Sequence, residues 1–333
     1  MSAAVSAVAT ALPTIDDVYR ASLRLRDHLQ PTPLVPLEGV SRTLGIDVWA
    51  KLDTLLPTRA FKVRGGLNWM SVHAPEVRTC GVITASTGNH GQSIAYAAQR
   101  FGVAATIFMP RDPNPAKVAA IESYGGHVRL CGTDMAESAA VAREEAERTG
   151  ARFISSGNDL QLIAGVATST LEALQTRSFD AVIVPAGSGS NAAGACIVAG
   201  ALSEQTAIIA VQSSGAPAAH DAFISRKSVR YDDQSTLAEG MATRESYAMP
   251  QALMAERLKS FGLVRDRELL DALALLVERD RHIVELSTVA GLAWLIRERR
   301  RMENKRVLLP FTGANLEAGV MLSLRHRVIV ESS

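Results

Sequence analysis

The sequence predicts an α/β protein made of two open parallel-sheet units with a ligand cleft between them. Three observations carry that reading. Short apolar runs alternate with helix-length amphipathic segments from residue 81 to 155, the same alternation restarts after Asn158, and glycine-bearing turns recur where strands hand over to helices. In the first series the pattern predicts a strand over 81–84, a helix over 90–100 and a strand over 104–109. A helix follows over 115–124, with Pro115 at its first turn and Gly125-Gly126 as its stop. A strand over 127–131, an Ala- and Glu-rich helix over 134–148 and a strand over 152–155 complete a βαβ series.

The second series is longer. It comprises a helix over 160–174, a strand over 181–184, a helix over 191–202 and a strand over 208–211. Helices between 250 and 278, a helix over 289–299 and a strand over 307–310 follow. We therefore expect a small mobile domain over 78–152 and a large domain assembled from 1–77 and 153–333. The N-terminal stretch from Met1 to Leu12 is Ala- and Val-rich but lacks a basic start and runs into Thr14-Ile15-Asp16-Asp17, which reads as a frayed mobile arm rather than a signal peptide.

Composition narrows the partners. The chain has 333 residues, 47% of them hydrophobic, and a formal net charge of +1, with no long charge run. Nothing here suits nucleic acid or an anionic membrane, and no apolar stretch is long enough to span a bilayer, so small molecules are the expected partners. Cys80, Cys131 and Cys196 are odd in number and lack metal-ligand spacing, which suggests reduced thiols in a cytoplasmic protein with no metal site.

Four segments carry chemistry. Lys62, in Arg59-Ala60-Phe61-Lys62-Val63-Arg64-Gly65-Gly66, lies between an aromatic residue and a glycine turn, where desolvation lowers a lysine's pKa and makes it a nucleophile toward an aldehyde. The turn Gly187-Ser188-Gly189-Ser190-Asn191 joins a strand to a helix, and its amides and hydroxyls make an anion site. It also fits a dinucleotide fingerprint, but Gln212 stands where that fingerprint wants an acid, so a single phosphate is the better match; tight βα packing is the alternative. Ser86-Thr87-Gly88-Asn89-His90-Gly91 offers helix-end amides for a carboxylate and the Asn89 amide for a phenolic oxygen, or is an ordinary helix cap. Thr312, after the last strand, is a turn residue or a hydroxyl offered to a heteroaromatic nitrogen.

In this order the four motifs resemble the pyridoxal-phosphate enzymes of the tryptophan synthase β or fold type II superfamily. Within it the chain looks most like threonine/serine dehydratases, a group that includes serine racemase and hydroxyectoine-utilisation dehydratases. The resemblance runs from Pro31-Thr32-Pro33-Leu34 to Thr312. It implies pyridoxal 5'-phosphate in the cleft, held covalently by Lys62 beside Phe61. Asn89 would bond its ring hydroxyl, Gly187, Ser188, Gly189, Ser190 and Asn191 would bind its phosphate, and Thr312 would face its ring nitrogen. Asn158 and Glu285 match weaker positions lining the same pocket. The resemblance further implies that Ser86, Thr87, Gly88, Asn89 and His90 receive the substrate carboxylate, that Lys62 and Thr87 are the catalytic side chains, and that the protein is a homodimer. The implied reaction removes the β-hydroxyl and amino group of a threonine- or serine-type amino acid, giving a 2-keto acid and ammonia.

Departures from the family pattern bear on specificity. Relatives commonly carry Gly-Ser where this chain has Arg59-Ala60, so Arg59 either recognises a second anionic group on the substrate or points to solvent. Thr87 replaces the serine expected of a racemase, which disfavours racemisation. Gln212 and Ala218 replace the acids of the divalent-metal site of racemase-like relatives. Asn191 and Thr312-Gly313 keep a threonine synthase-like β-replacement open, and a catalytically silent cofactor-binding protein is the non-enzyme alternative. The chain ends soon after the last strand, so the isoleucine-sensing regulatory domain of biosynthetic threonine dehydratases is not expected.

Overall fold

The computed structural model describes residues 11–324, with side chains through residue 322. Ten strands form two sheets: β1 (Leu34–Pro36), β2 (Asp47–Leu52), β3 (Val82–Ala85), β4 (Ala105–Met109), β5 (His127–Leu130), β6 (Arg152–Phe153), β7 (Ala181–Pro185), β8 (Ala207–Ser213), β9 (Ser260–Val264) and β10 (Arg306–Phe311). The larger sheet has the order β1-β2-β10-β7-β8-β9 and the smaller β5-β4-β3-β6. All pairings are parallel except the edge pair β1 and β2.

Successive residues in the central strands of the large sheet are buried on opposite faces. Ile183, Ile209, Val307 and Leu309 pack on one side, and Val182, Val184, Ile208 and Leu308 on the other. This two-sided burial explains why these strands read as unbroken apolar runs rather than alternating ones. Each fully buried aliphatic side chain contributes on the order of 2 kcal/mol, which fixes the sheet that carries the loops.

Strand order places those loops. From β7 the chain winds outward through β8 and β9, then returns to lay β10 on the other side of β7; in the small sheet it winds β3, β4, β5 and returns with β6 beside β3. Adjacent loops therefore diverge at the carboxyl ends of β7 and β10, and again at those of β3 and β6, which is where open α/β sheets bind ligands. Thr312 follows β10, the 187–191 turn follows β7, the 86–90 turn follows β3, and Ser155-Ser156 follow β6.

Local chemistry sets the helix ends. The Asp134 carboxylate accepts from the Glu137 amide (2.9 Å) to start Met135–Thr149, and Gly150, at φ +74°, stops it. Asn114 caps Pro115–Ser123.

The structure departs from the sequence pattern in several places. β1, β2, β9 and the helix Ala218–Ser225 were not anticipated, and β9 interrupts the stretch 250–278 read as helical. β2 hides its signal because Lys51, 2% exposed, is neutralised inside the fold by Glu172 from a distant helix. β6 is two residues long because Ser155 and Ser156 leave the sheet to line the cleft. The expected N-terminal arm falls mostly on residues 1–10, outside the described residues; Leu12 itself packs against the cluster of Ile163, Ala193, Met249 and Leu253.

Candidate active site

Between the two sheets lies a cleft of about 790 Å³. Lys62 is the first residue of the helix Lys62–Val77, and the turn before it is stitched to the loop after β10. The Phe61 amide donates to the Thr312 carbonyl (2.8 Å), Ala60 bridges Gly313, and the Ala314 amide donates to the Arg59 carbonyl (2.9 Å). Two residues on, Arg64, 1% exposed, anchors the same helix to the Asp53 (2.8 Å) and Glu172 (2.6 Å) carboxylates. The backbone of the lysine is thus held from both sides.

The Lys62 ammonium has no carboxylate within 4 Å among the described residues. Nζ donates to Ser190 Oγ (3.0 Å), Ser188 Oγ (3.5 Å) and the Ser156 carbonyl (3.4 Å), and lies 5.3 Å from the centre of the Phe61 ring. Burial without a counter-charge lowers its pKa to about 8. Near neutral pH the neutral, nucleophilic form of this amine is therefore far more populated than in an ordinary lysine.

The turn after β7 is built for an anion. Gly189 has φ +89°, and a Cβ on Gly187 would lie 2.5 Å from the Gly240 carbonyl oxygen, so both positions need glycine. The amides of residues 187–191 find no acceptor among the described residues, and the helix Ser190–Leu202 points its positive end at the same spot. Asn191 is 4% exposed, yet its Nδ2 is buried with no hydrogen-bond partner. An unpaired buried amide donor beside free backbone amides fits a phosphate.

Across the cleft, Ser86 Oγ accepts from the Gly88 (3.2 Å) and Gly91 (3.1 Å) amides, so Ser86 satisfies one first-turn amide of the helix Asn89–Phe101, whose N-cap is Gly88. The amides of Thr87, Asn89 and His90 remain for a ligand among the described residues. Asn89 is fully engaged: Nδ2 donates to both oxygens of Glu285 (3.0 Å each), and Oδ1 accepts from Asn315 Nδ2 (2.7 Å). Burial raises the pKa of Glu285. Thr312, 4% exposed, shares a hydrogen bond with Thr288 Oγ1 (3.0 Å).

The structure therefore brings Lys62, Phe61, Ser86, Thr87, Gly88, Asn89, Gly187, Ser188, Gly189, Ser190, Asn191, Glu285 and Thr312 to one cleft. Three expected residues depart from it. Arg59 is exposed and off the cleft wall, because its left-handed backbone (φ +55°) turns the side chain outward. Asn158 is also exposed; its Oδ1 accepts from the Met249 amide (3.1 Å) at the start of the helix Ala248–Arg257, and Ser155 and Ser156 line the cleft in its place. The His90 ring borders the cleft but is spent on Thr84, whose hydroxyl donates to the Ile154 carbonyl (2.8 Å) and so receives the Nε2 proton (3.0 Å). Burial pushes its pKa down to about 3, leaving only the His90 amide for a ligand.

Ser156, Tyr247, Thr288 and Asn315 also shape the site and escaped the sequence reading. Each is an isolated polar residue on a loop, with no local pattern to mark it. Among the described residues no group of three or more His, Cys, Asp or Glu stands close enough to hold a metal ion.

The geometry calls for a ligand with a phosphate at the 187–191 turn and a carbonyl within reach of Lys62 Nζ. Comparisons with known proteins agree. The family model described as pyridoxal-phosphate dependent enzyme matches residues 25–313. The L-threonine ammonia-lyase of Geobacter sulfurreducens is 32% identical over 94% of this chain and 78% of its own length. The L-threo-3-hydroxyaspartate ammonia-lyase of a Pseudomonas species is 30% identical over 94% of this chain and 98% of its own. Among solved structures, the serine racemase of Dictyostelium discoideum superimposes with a TM-score of 0.85 at 27% identity, covering 92% of this chain and all of that one. With a neutralisable lysine, a phosphate cradle and these relatives in agreement, the chain belongs to the pyridoxal-phosphate dependent enzymes, in their fold type II branch.

Proposed function

We propose that this protein is a pyridoxal-phosphate-dependent ammonia-lyase that converts a β-hydroxy amino acid to a 2-keto acid and ammonia. The observation that carries the reading is Lys62 Nζ, with no carboxylate within 4 Å among the described residues and 3.0 Å from Ser190 in the phosphate cradle, in one cleft with the open amides of Thr87, Asn89 and His90. The relatives' names supply the substrate class: threonine and 3-hydroxyaspartate ammonia-lyases.

The cofactor, when bound, supplies the electron sink that stabilises negative charge at Cα. Its phosphate would be held by the 187–191 amides, Ser188, Ser190 and Asn191, its aldehyde by Lys62, and its ring hydroxyl by Asn89, whose Nδ2 would exchange a Glu285 oxygen for it. The substrate carboxylate would sit on the amides of Thr87, Asn89 and His90. Lys62, in its neutral form, takes the Cα proton. Thr312 would offer the ring nitrogen a hydroxyl rather than a carboxylate, so no acid there would hold that nitrogen protonated, which would favour loss of a β-substituent. Residues 78–152 close as a small domain over 1–77 and 153–333, excluding water from the reacting atoms. Thr87, in the cleft wall where a racemase would carry serine, disfavours the racemase alternative, and chiral analysis of recovered serine tests it.

The three free thiols support a reducing, cytoplasmic setting, and the family resemblance supports a homodimer, which sedimentation checks. The protein should be yellow, with borohydride fixing the cofactor onto Lys62, and should release keto acid and ammonia from β-hydroxy amino acids. Consumption of O-phosphohomoserine without keto acid release would refute the lyase in favour of a synthase.

A further inference from the structure

With Arg59 turned to solvent, the group that reads the substrate's side chain must stand elsewhere on the cleft wall. The wall beside Ser156 carries a half-buried phenol, Tyr247. Its ring lies against Gly157, where a Cβ would come within 2.4 Å of the ring, so glycine is what admits it. Ser156 Oγ donates to the Tyr247 hydroxyl (3.3 Å), and the Ser156 carbonyl takes Lys62 Nζ (3.4 Å), which ties the phenol to the reacting end of the cleft. Because Ser156 is the donor, the phenol's own proton has no acceptor among the described residues. Burial raises the pKa of Tyr247, so that proton stays in place at neutral pH.

Charge at this wall is mixed, because Glu245, two residues before Tyr247, lines it together with several cations. Of the other cleft-lining cations, Lys117 pairs with Glu239 and Glu317, and Arg244 with Asp134. Arg143 and Arg230 have no carboxylate within 4 Å among the described residues. The exposed Arg143 guanidinium lies 5.0 Å from the Phe153 ring centre, and its charge acts on Tyr247 less strongly than that of Glu245, so the hydroxyl itself is what this wall offers a substrate. A methyl group placed here would leave a half-buried donor unanswered, whereas an acceptor oxygen would satisfy it.

We propose that the Tyr247 hydroxyl is a specificity-determining donor that binds an acceptor oxygen beyond the substrate's β-carbon. The preferred substrates are then β-hydroxy amino acids whose side chain ends in a carboxylate or an amide, over threonine. This rests on the lyase reading, and the test separates the two. Tyr247→Phe keeps the ring on Gly157 and removes the hydroxyl alone. Holoenzyme is assayed for keto acid release with 3-hydroxyaspartate, 3-hydroxyasparagine and threonine, and each amino acid is also titrated against the cofactor's absorbance band. We expect the variant to raise KM and the titration midpoint about tenfold for the two acceptor-bearing substrates, with kcat and all threonine values within about twofold. In the wild type, the lower KM of the first two identifies the acceptor as carboxylate or amide. Equal loss on threonine, no change on any substrate, or a wild-type preference for threonine would overturn the inference. If none of the three is turned over, the lyase reading fails, and the variant's effect on the band titration still decides the role of Tyr247.

Discussion

Lys62 bears an unusual electrostatic load: hydroxyls and a carbonyl surround it, and no acid compensates its charge. Its folded pKa of about 8 lies below the ordinary lysine value. Between these pH values the unfolded chain binds more protons than the folded one, so the stability of the cofactor-free protein rises with pH across that window. Below pH 8 the full penalty, about 3 kcal/mol, remains. Lys62→Met should remove it, giving a colourless, inactive protein that is more stable than cofactor-free wild type at pH 7 in urea. Cofactor attachment should accelerate with rising pH around a midpoint near 8, measured by absorbance; a rate independent of pH from 6 to 9 would contradict the buried, unpaired ammonium. Arg59 makes the opposite case, an exposed residue in left-handed backbone. Arg59→Gly should relieve that conformation, stabilise by roughly 0.5 kcal/mol once the added unfolded-state entropy is counted, and leave kcat/KM within about twofold. A larger kinetic loss would return Arg59 to the substrate.

At the scale of the element, the helix Lys62–Val77 is set by Arg64. This guanidinium reaches Asp53, Glu172 and Thr168, while Lys51 joins through Glu172, tying the lysine-bearing helix to β2 and the helix Leu160–Thr176. Such a network is sensitive to losing one member, because the remaining charges stay buried. Arg64→Met should cost at least about 3 kcal/mol in urea unfolding and impair cofactor retention; a loss under about 1 kcal/mol would mean the network carries little of the positioning.

At the scale of the molecule, an apolar core joins the two units, with Val63, Leu67 and Met70 of the helix Lys62–Val77 in one cluster with Ile94, Ala97 and Ile107, whereas a further set of contacts between them is polar. Lys117 meets Glu239 and Glu317, Arg244 meets Asp134, Tyr124 donates to the Pro57 carbonyl (2.9 Å), and Asn89 reaches Glu285. Partly exposed ion pairs are weak and screened by salt, which suits the closure proposed above. Lys117→Gln should raise KM for the amino acid about twofold to fivefold with cofactor affinity unchanged, and the salt dependence of KM should shrink with it. An unaltered salt dependence would place closure in other contacts.

The sequence alone determined the parts of this protein that are local. Apolar runs buried on both faces, glycine turns that need positive φ or close approach, and a lysine flanked by an aromatic and a glycine turn are each written in adjacent residues, and they led to the sheets, the phosphate loop and the cofactor. Tertiary structure decided what depends on distant partners. Lys51 is a strand residue because Glu172 neutralises it, His90 is structural because Thr84, itself donating to the Ile154 carbonyl, takes its Nε2, and Asn158 leaves the cleft to meet Met249. Tyr247 enters the cleft wall because Gly157, ninety residues away in sequence, leaves room for its ring. Backbone geometry and burial pattern are short-range properties, whereas the partner that satisfies a charge or a hydroxyl is chosen by the fold.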